Sequence, residues 1–405
     1  MSSSKPSLRF SNFSDELNSA TLAEITSKKI SYGIVQAGPH VEGGMPYIKS
    51  KDLNGPLLIE ELERTSEEIA KKYHRSEVNP GDIVFSLRGN IGVSQIVPDT
   101  IPVANLTQGT ARISCSSKIN PVYLINELKT SRVRKRVIAL AKGSTFREIS
   151  LEELRNVKVS FPSYKEQEKV ANFLSTVDQK ISLLKEKHAM LEQYKNGVMQ
   201  KLFKQEIRFK DDSGSDFPDW KILKLSEIST PIKRRASASV DKIMTISAGK
   251  GFLSQEERFS QVIAGTSLEK YTHLKKGEFS YNRGNSKSYT YGCIYKLEED
   301  EALVPYVYRS FSLDDGNTEF FAQLFKFKYL DRQLRRLISS SARMDGLLNI
   351  GEKEFYQVKV PFPQEAEQIK IAKFLDSLDM KLDSTAAQIE LTQTFKKGLL
   401  QQMFV

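Results

Sequence analysis

The apolar residues of this chain fall into two kinds of pattern. The first is a long stripe with alternating steps of four and three: Val170, Leu174, Val177, Ile181, Leu184, His188, Leu191, Lys195, Val198 and Leu202. That is the seam of a coiled-coil helix. It returns at Ile371, Leu375, Leu378, Leu382, Thr385, Ile389, Thr392, Lys396, Leu399 and Met403. Ser163 and Glu166, just after Pro162, form a capping-box signature that predicts where the first helix starts. About 40 helical residues at roughly 1.5 Å each make a rod near 60 Å long. Neither stripe can be buried alone. With a whole domain between them, the two helices are expected to pair antiparallel within the chain and hold the domains at opposite ends of a shared rod. His188 on the seam reads as a tolerated packing residue rather than a ligand.

The second kind consists of short β-like runs between turn signals: Ile30–Val35, Asp82–Leu87, Ile91–Val97 and Ala111–Ser114 in one half, Glu278–Asn282 and Tyr289–Tyr295 in the other. Each half closes with a predicted helix, Pro121–Lys142 and Thr318–Ser340. The expected class is α+β, with globular domains built on a curved sheet and alternating with the long helices.

The two halves are copies. Val157-Lys158-Val159 followed by Phe161-Pro162 returns as Val358-Lys359-Val360 followed by Phe362-Pro363, 201 positions later. The register then holds without a gap through Glu166-Gln167 and Glu367-Gln368, Asp178 and Asp379, Lys195 and Lys396, to Phe203 and Phe404. Looser islands precede it: Arg9-Phe10 with Arg208-Phe209, and Arg88-Gly89-Asn90 with Arg283-Gly284-Asn285. The repeat predicts a pseudo-two-fold chain of four parts: 1–160 and 206–361 as globular domains, 161–205 and 362–405 as helices.

Lysine and arginine number 60 against 50 acidic residues, a formal charge of +10, which favours a polyanionic partner. The distribution sharpens this. From Lys129 to Arg147 the chain carries Arg132, Arg134, Lys135, Arg136 and Lys142 with no acidic residue, and Arg332, Arg335, Arg336 and Arg343 occupy the equivalent stretch. Such strips neutralise phosphates without reading sequence. The small-residue segment Gly143-Ser144-Thr145-Phe146-Arg147 offers hydroxyl and amide donors, so Ser144, Thr145 and Arg147 join the candidates. Arg88, Asn90, Arg283 and Asn285 suit base edges, since Arg bonds guanine and Asn adenine bidentately; a plain β-turn explains Gly-Asn equally well. Lys287 lies among Tyr281, Tyr289, Tyr291 and Tyr295, an interleaving of basic and aromatic residues that fits either a nucleic-acid surface or a strand core.

Catalytic signatures are missing. The sequence has no Gly-rich nucleotide loop, no Asn-Pro-Pro-aromatic motif and no His and Cys cluster with metal spacing, and its four histidines are scattered. Its two cysteines, Cys115 and Cys293, sit in unrelated contexts, and no apolar run reaches the roughly 20 residues of a membrane span, so a cytoplasmic, non-catalytic DNA-binding protein is expected.

The duplicated Val-Lys-Val, Phe-Pro, Glu-Gln, Asp, Lys pattern resembles the specificity subunit of type I restriction-modification systems over nearly the full length. Glu278–Ser286 with Tyr289 and Gly292, and Gly143–Ser150, are similar to segments of its target-recognition domains. The resemblance implies a bipartite duplex target with one half per domain, a spacer set by the helices, two modification subunits gripping the helical regions, and motor and nuclease subunits joining them. S-adenosylmethionine, ATP and magnesium would be used on those partners, with no cofactor, metal or catalytic residue in this chain. The alternatives are an orphan specificity-like scaffold, a self-contained methyltransferase or nuclease, and a two-headed DNA-binding regulator.

Overall fold

The Val-Lys-Val segments are strands because alternate side chains face opposite ways: Val159 and Phe161 are buried while Lys158 is exposed, and Val360 is buried while Lys359 is exposed. Lys158–Phe161 pairs antiparallel with Asn18–Thr21, and Lys359–Phe362 pairs antiparallel with Lys221–Lys224, so the copies begin and end alike. The computed structural model describes residues 5–143, 147–236, 240–254, 268–338 and 347–404. The chain forms two compact units, Met1–Glu186 with Ala386–Val405, and Lys187–Thr385.

In the first unit, Ile83–Ser86 lies between Ser94–Ile96 and Thr110–Ile113, all antiparallel. Met45–Ile48 lies between Arg64–Thr65 and Asn105–Leu106, parallel to the latter. In the second unit, Phe279–Asn282 is flanked by Cys293–Lys296 and Arg309–Leu313, with Ser229–Pro231 at the edge. The expected curved sheet is therefore several small ones. The expected strand Ile30–Val35 makes only isolated bridges, from Tyr32 to Ala111 and Ile34 to Thr107. It presses so close at Gly33 that an added Cβ would stand 1.8 Å from the Leu106 carbonyl oxygen.

Each closing helix is two. Pro121–Lys129 and Ser131–Leu140 are separated by Thr130, whose extended backbone and hydroxyl cap the Val133 amide at 3.3 Å. Thr318–Lys326 and Asp331–Leu337 are separated where Lys328 takes φ 61.

The long helices run from Tyr164 to Phe203 and from Glu365 to Met403. In the first unit, Val170, Leu174 and Val177 share a core with Leu399, Met403 and Phe404; in the second, Met199, Leu202 and Phe203 share one with Ile371, Leu375 and Leu378. In each unit the start of one helix thus packs with the end of the other, which is antiparallel contact. The repeated acids and lysines cross over accordingly: Lys396 bonds Asp178 at 2.5 Å, and Lys195 bonds Asp379. His188 is half-buried and stands 3.8 Å from Glu192.

The repeat islands fasten each helix to its domain. Arg9 donates two bonds of 2.7 Å to the Glu166 carboxylate, and Arg208 donates to Glu367 at 3.1 and 2.8 Å. Phe10 meets Phe173 edge-on at 5.9 Å, as Phe209 meets Phe374 at 5.7 Å. Gln167 accepts from the Asn120 amide and Gln368 from that of Asn317, the residues capping Pro121–Lys129 and Thr318–Lys326. The helix starts where Ser163 and Glu166 predict. The glutamate's carboxylate, however, is taken by the arginine rather than by a capping box.

Candidate nucleic-acid interface

In the first domain, the turn after strand Ile83–Ser86 carries Arg88-Gly89-Asn90, with Gly89 at φ 75, where a side chain would strain the backbone. The loop after the basic helix comes back against this turn. Lys142 and Glu148 exchange backbone hydrogen bonds of 2.9 and 3.0 Å, Arg88 bridges Glu148, and the Ile149 amide donates to the Leu87 carbonyl at 3.0 Å. Two features separated by some fifty residues of sequence are therefore neighbours. Ser144 and Thr145, with Phe146, lie outside the described residues.

Arg88 and Arg147 line an open cleft of about 1230 Å³, together with Asn90, Gln108, Lys49 and Lys51. Asn90 helps to build it through both ends of its amide: the nitrogen donates to the Ser50 carbonyl at 2.8 Å and to Asn54 Oδ1 at 2.7 Å, and the oxygen accepts from Ser86 at 2.6 Å. Lys49 and Lys51 both turn to Glu63, which also accepts from the Tyr47 hydroxyl at 2.7 Å. Hydrogen bonds from Lys49 and Tyr47 bring the Glu63 carboxyl down to about 2. Burial, and then that same acceptor, push the Tyr47 hydroxyl up to about 12.

The basic helix Ser131–Leu140 buries Val133 and Val137 and exposes its cations. Two of those are engaged. Arg132 donates at 2.5 Å to Glu127, whose buried carboxyl is raised by desolvation against the pull of that guanidinium. Arg136 donates at 3.0 Å to the Lys158 carbonyl. The side chains of Arg134 and Lys135 make no hydrogen bond or ion pair among the described residues, and Lys142 reaches Glu153 only at 3.6 Å. The uncompensated charge on this face is thus smaller than the sequence suggests.

The second domain reuses the parts differently. The Leu348 amide donates to the Arg283 carbonyl at 2.9 Å, so its returning loop also lies against the Arg-Gly-Asn turn. Arg283 is folded back on the Val307 carbonyl at 3.3 and 3.1 Å. Here the structural asparagine precedes the arginine: Asn282 bonds the Ile246 carbonyl and the Gly284 amide, while Asn285 and Lys287 are exposed. On the helix Asp331–Leu337, Gln333 rather than an arginine holds the Lys359 backbone, at 2.7 and 2.8 Å. Arg332, Arg335 and Arg336 stay exposed, and Arg343 lies outside the described residues. Tyr281 is core, stacked on Phe355 at 4.7 Å, and Tyr295 is buried; Tyr289 and Tyr291 are half-buried.

The cleft also brings in Lys49, Lys51 and Gln108, which the sequence does not single out. The one available signal is the turn Thr107-Gln108-Gly109, where burial of Gly109 against Ser50 and Arg88 leaves no room for a side chain. Among the described residues, no group of three or more His, Cys, Asp or Glu is placed to hold a metal, and no helix is long and apolar enough to cross a membrane.

Residues 15–193 and 219–393 each match the family model described as the type I restriction modification DNA specificity domain. The chain is similar to the type I restriction enzyme EcoBI specificity subunit of Escherichia coli, 32% identical over 147 residues, which are 36% of this chain and 31% of that protein. That match spans about a third of the relative's own length. The MjaVIII specificity subunit of Methanocaldococcus jannaschii is 23% identical over 400 residues, covering 90% of this chain and 86% of the relative. Among solved structures, the S subunit of a type I restriction-modification system from M. genitalium aligns over 99% of both chains with a TM-score of 0.60 at 17% identity, a likeness of fold.

Proposed function

Because the chain belongs to the type I restriction-modification DNA specificity family, matched in both of its halves, we propose that each globular domain reads one half of a bipartite duplex target while the long helices set the spacer and receive two modification subunits. The observation that carries this reading is the duplicated clamp. Arg9–Glu166 and Arg208–Glu367 hold two differently built domains on two equivalent helical mounts. A protein that needs the same mount twice but a different surface on each is built to read two different half-sites. In this reading, methyl transfer with S-adenosylmethionine, and ATP- and magnesium-dependent cleavage, belong to the modification and restriction subunits.

The helices also repeat an exposed apolar pair. Met190 and Tyr194 are 63% and 53% exposed, and Leu391 and Phe395, at the matching positions of the second helix, are 69% and 56% exposed. Solvent-facing apolar residues at helical spacing mark a docking stripe, and its presence once in each unit supports two identical partners. Replacing Met190 and Tyr194 together by Asp should remove one of two modification subunits in native mass spectrometry; retention of both would detach this stripe from assembly. The reading as a whole is tested by mapping methylated adenine in cells with and without the gene. Deletion should erase one split motif, and an unchanged map would overturn the proposal.

A further inference from the structure

The first-domain cleft separates side chains that build it from side chains that remain available. Asn90 has its amide nitrogen and oxygen committed to Ser50, Asn54 and Ser86, so the asparagine of Arg-Gly-Asn is part of the frame. Lys49 and Lys51 are held by Glu63. Among the described residues, the side chains of Arg88, Gln108 and Arg147 have no hydrogen bond or ion pair, although all three line the cleft. Gln108 is fixed through its backbone, whose amide donates to the Ile34 carbonyl at 2.9 Å. Its neighbour Gly109 accepts from the Ser50 hydroxyl at 2.8 Å, and a Cβ added there would stand 3.0 Å from Arg88 Nε. The Arg88 side chain therefore lies against the backbone that carries Gln108.

A guanidinium presents two parallel donors that match guanine O6 and N7, and a carboxamide presents a donor and an acceptor that match adenine N7 and N6. We propose that Arg88 and Gln108 together are the base-reading pair of the first domain, entering the major groove of duplex DNA from this cleft, with Asn90 and Gly109 as positioning residues and Arg147 on an adjacent phosphate. This rests on the DNA-specificity reading given above and names the residues through which it acts.

The test is selection of duplexes from a random-sequence library by the full chain, followed by sequencing. The parent chain should select a split motif. Arg88→Ala and Gln108→Ala should each flatten one base-pair preference by about tenfold or more, both in the same half of the motif, leaving the other half unchanged. Arg147→Ala should weaken binding evenly across sequences and lower the salt slope by about one. Gln108→Glu keeps size but offers only acceptors, so preference at its position should move from adenine toward cytosine, a gain that misfolding cannot mimic. An unchanged motif with Gln108→Ala and Gln108→Glu overturns the inference while leaving the DNA-specificity reading standing. A parent chain that selects no motif overturns that reading as well.

Discussion

The Glu166 and Glu367 carboxylates show how much one residue carries in this fold. Glu367 is fully buried and accepts from Arg208 and from the Trp220 indole nitrogen at 2.8 Å; among the described residues Glu166 accepts from Arg9 alone, and the residue just before strand Asn18–Thr21, where Trp220 precedes Lys221–Lys224, is Leu17, which has no such donor. Removing either acceptor strands a guanidinium beside a core. Glu166→Ala should cost about 2 kcal/mol, and Glu367→Ala about 1 kcal/mol more for the orphaned indole. Denaturant midpoints by circular dichroism, with fluorescence of Trp220, the single tryptophan, reporting on the second unit, should rank them in that order. Equal costs would mean that the indole bond contributes nothing. At Glu63 the sign of the pH effect follows from its carboxyl, held at about 2 against an ordinary 4.5. A folded-state value below the unfolded one gives stability that is fully present above about 4.5 and is lost as pH falls toward 2. The melting temperature of Glu63→Gln should therefore fall less over that interval than that of the parent chain; parallel curves would show that Glu63 is not held by Lys49 and Tyr47 in solution.

At the scale of elements, the long helices were legible because a seven-residue period is written in side chains along some forty positions. Every seam position from Val170 to Leu202 and from Ile371 to Met403 is buried or half-buried. The short strands and split helices were less so. Nothing local distinguishes Thr130 as a break from Thr130 as a helical residue until its hydroxyl is seen to cap Val133, and Lys328, at φ 61, sends its ammonium to the Ser288 carbonyl at 2.6 Å, a partner forty residues away in sequence. The candidate site was half legible. Arg-Gly-Asn and the loop after the basic helix do meet, but Arg132, Arg136 and Arg283 spend their charge on Glu127 and on backbone carbonyls that only folding brings near. The helix pair makes its own prediction. The two crossed ion pairs occupy matching positions in unlike surroundings. The differences lie at the acids: Asp379 is 30% exposed and also accepts from Gln323 at 2.8 Å, whereas Asp178 is 51% exposed, the two lysines being 10% and 16% exposed. Asp379→Ala should cost about 2 to 3 kcal/mol and Asp178→Ala less than about 1 kcal/mol in chemical unfolding. A symmetric result would show that burial does not distinguish the two.

At the scale of the molecule, the internal repeat makes the order of the parts along the chain a matter of where it is cut. The second helix ends on the first domain: Phe404 packs on Tyr123 at 5.1 Å, and the Leu8 amide donates to the Gln402 carbonyl at 3.0 Å. The first helix ends on the second domain in the matching way, with Phe203 against Phe327 at 5.1 Å and Phe320 at 6.0 Å, and the chain then runs on through Gln205, at φ 59, to Arg208. Residues 204–207 thus join the same parts that stand next to each other, unjoined, at Leu8 and Gln402. A short Gly/Ser link from Phe404 to Leu8 combined with a break between Lys204 and Glu206 should therefore exchange the names of the two halves without disturbing either core. The permuted chain should keep its melting temperature within a few degrees and select the same split motif with the same spacer. A changed spacer with both half-sites intact would mean that the covalent connection at 204–207, and not the packing of the helix ends in each unit, fixes the distance between the half-sites.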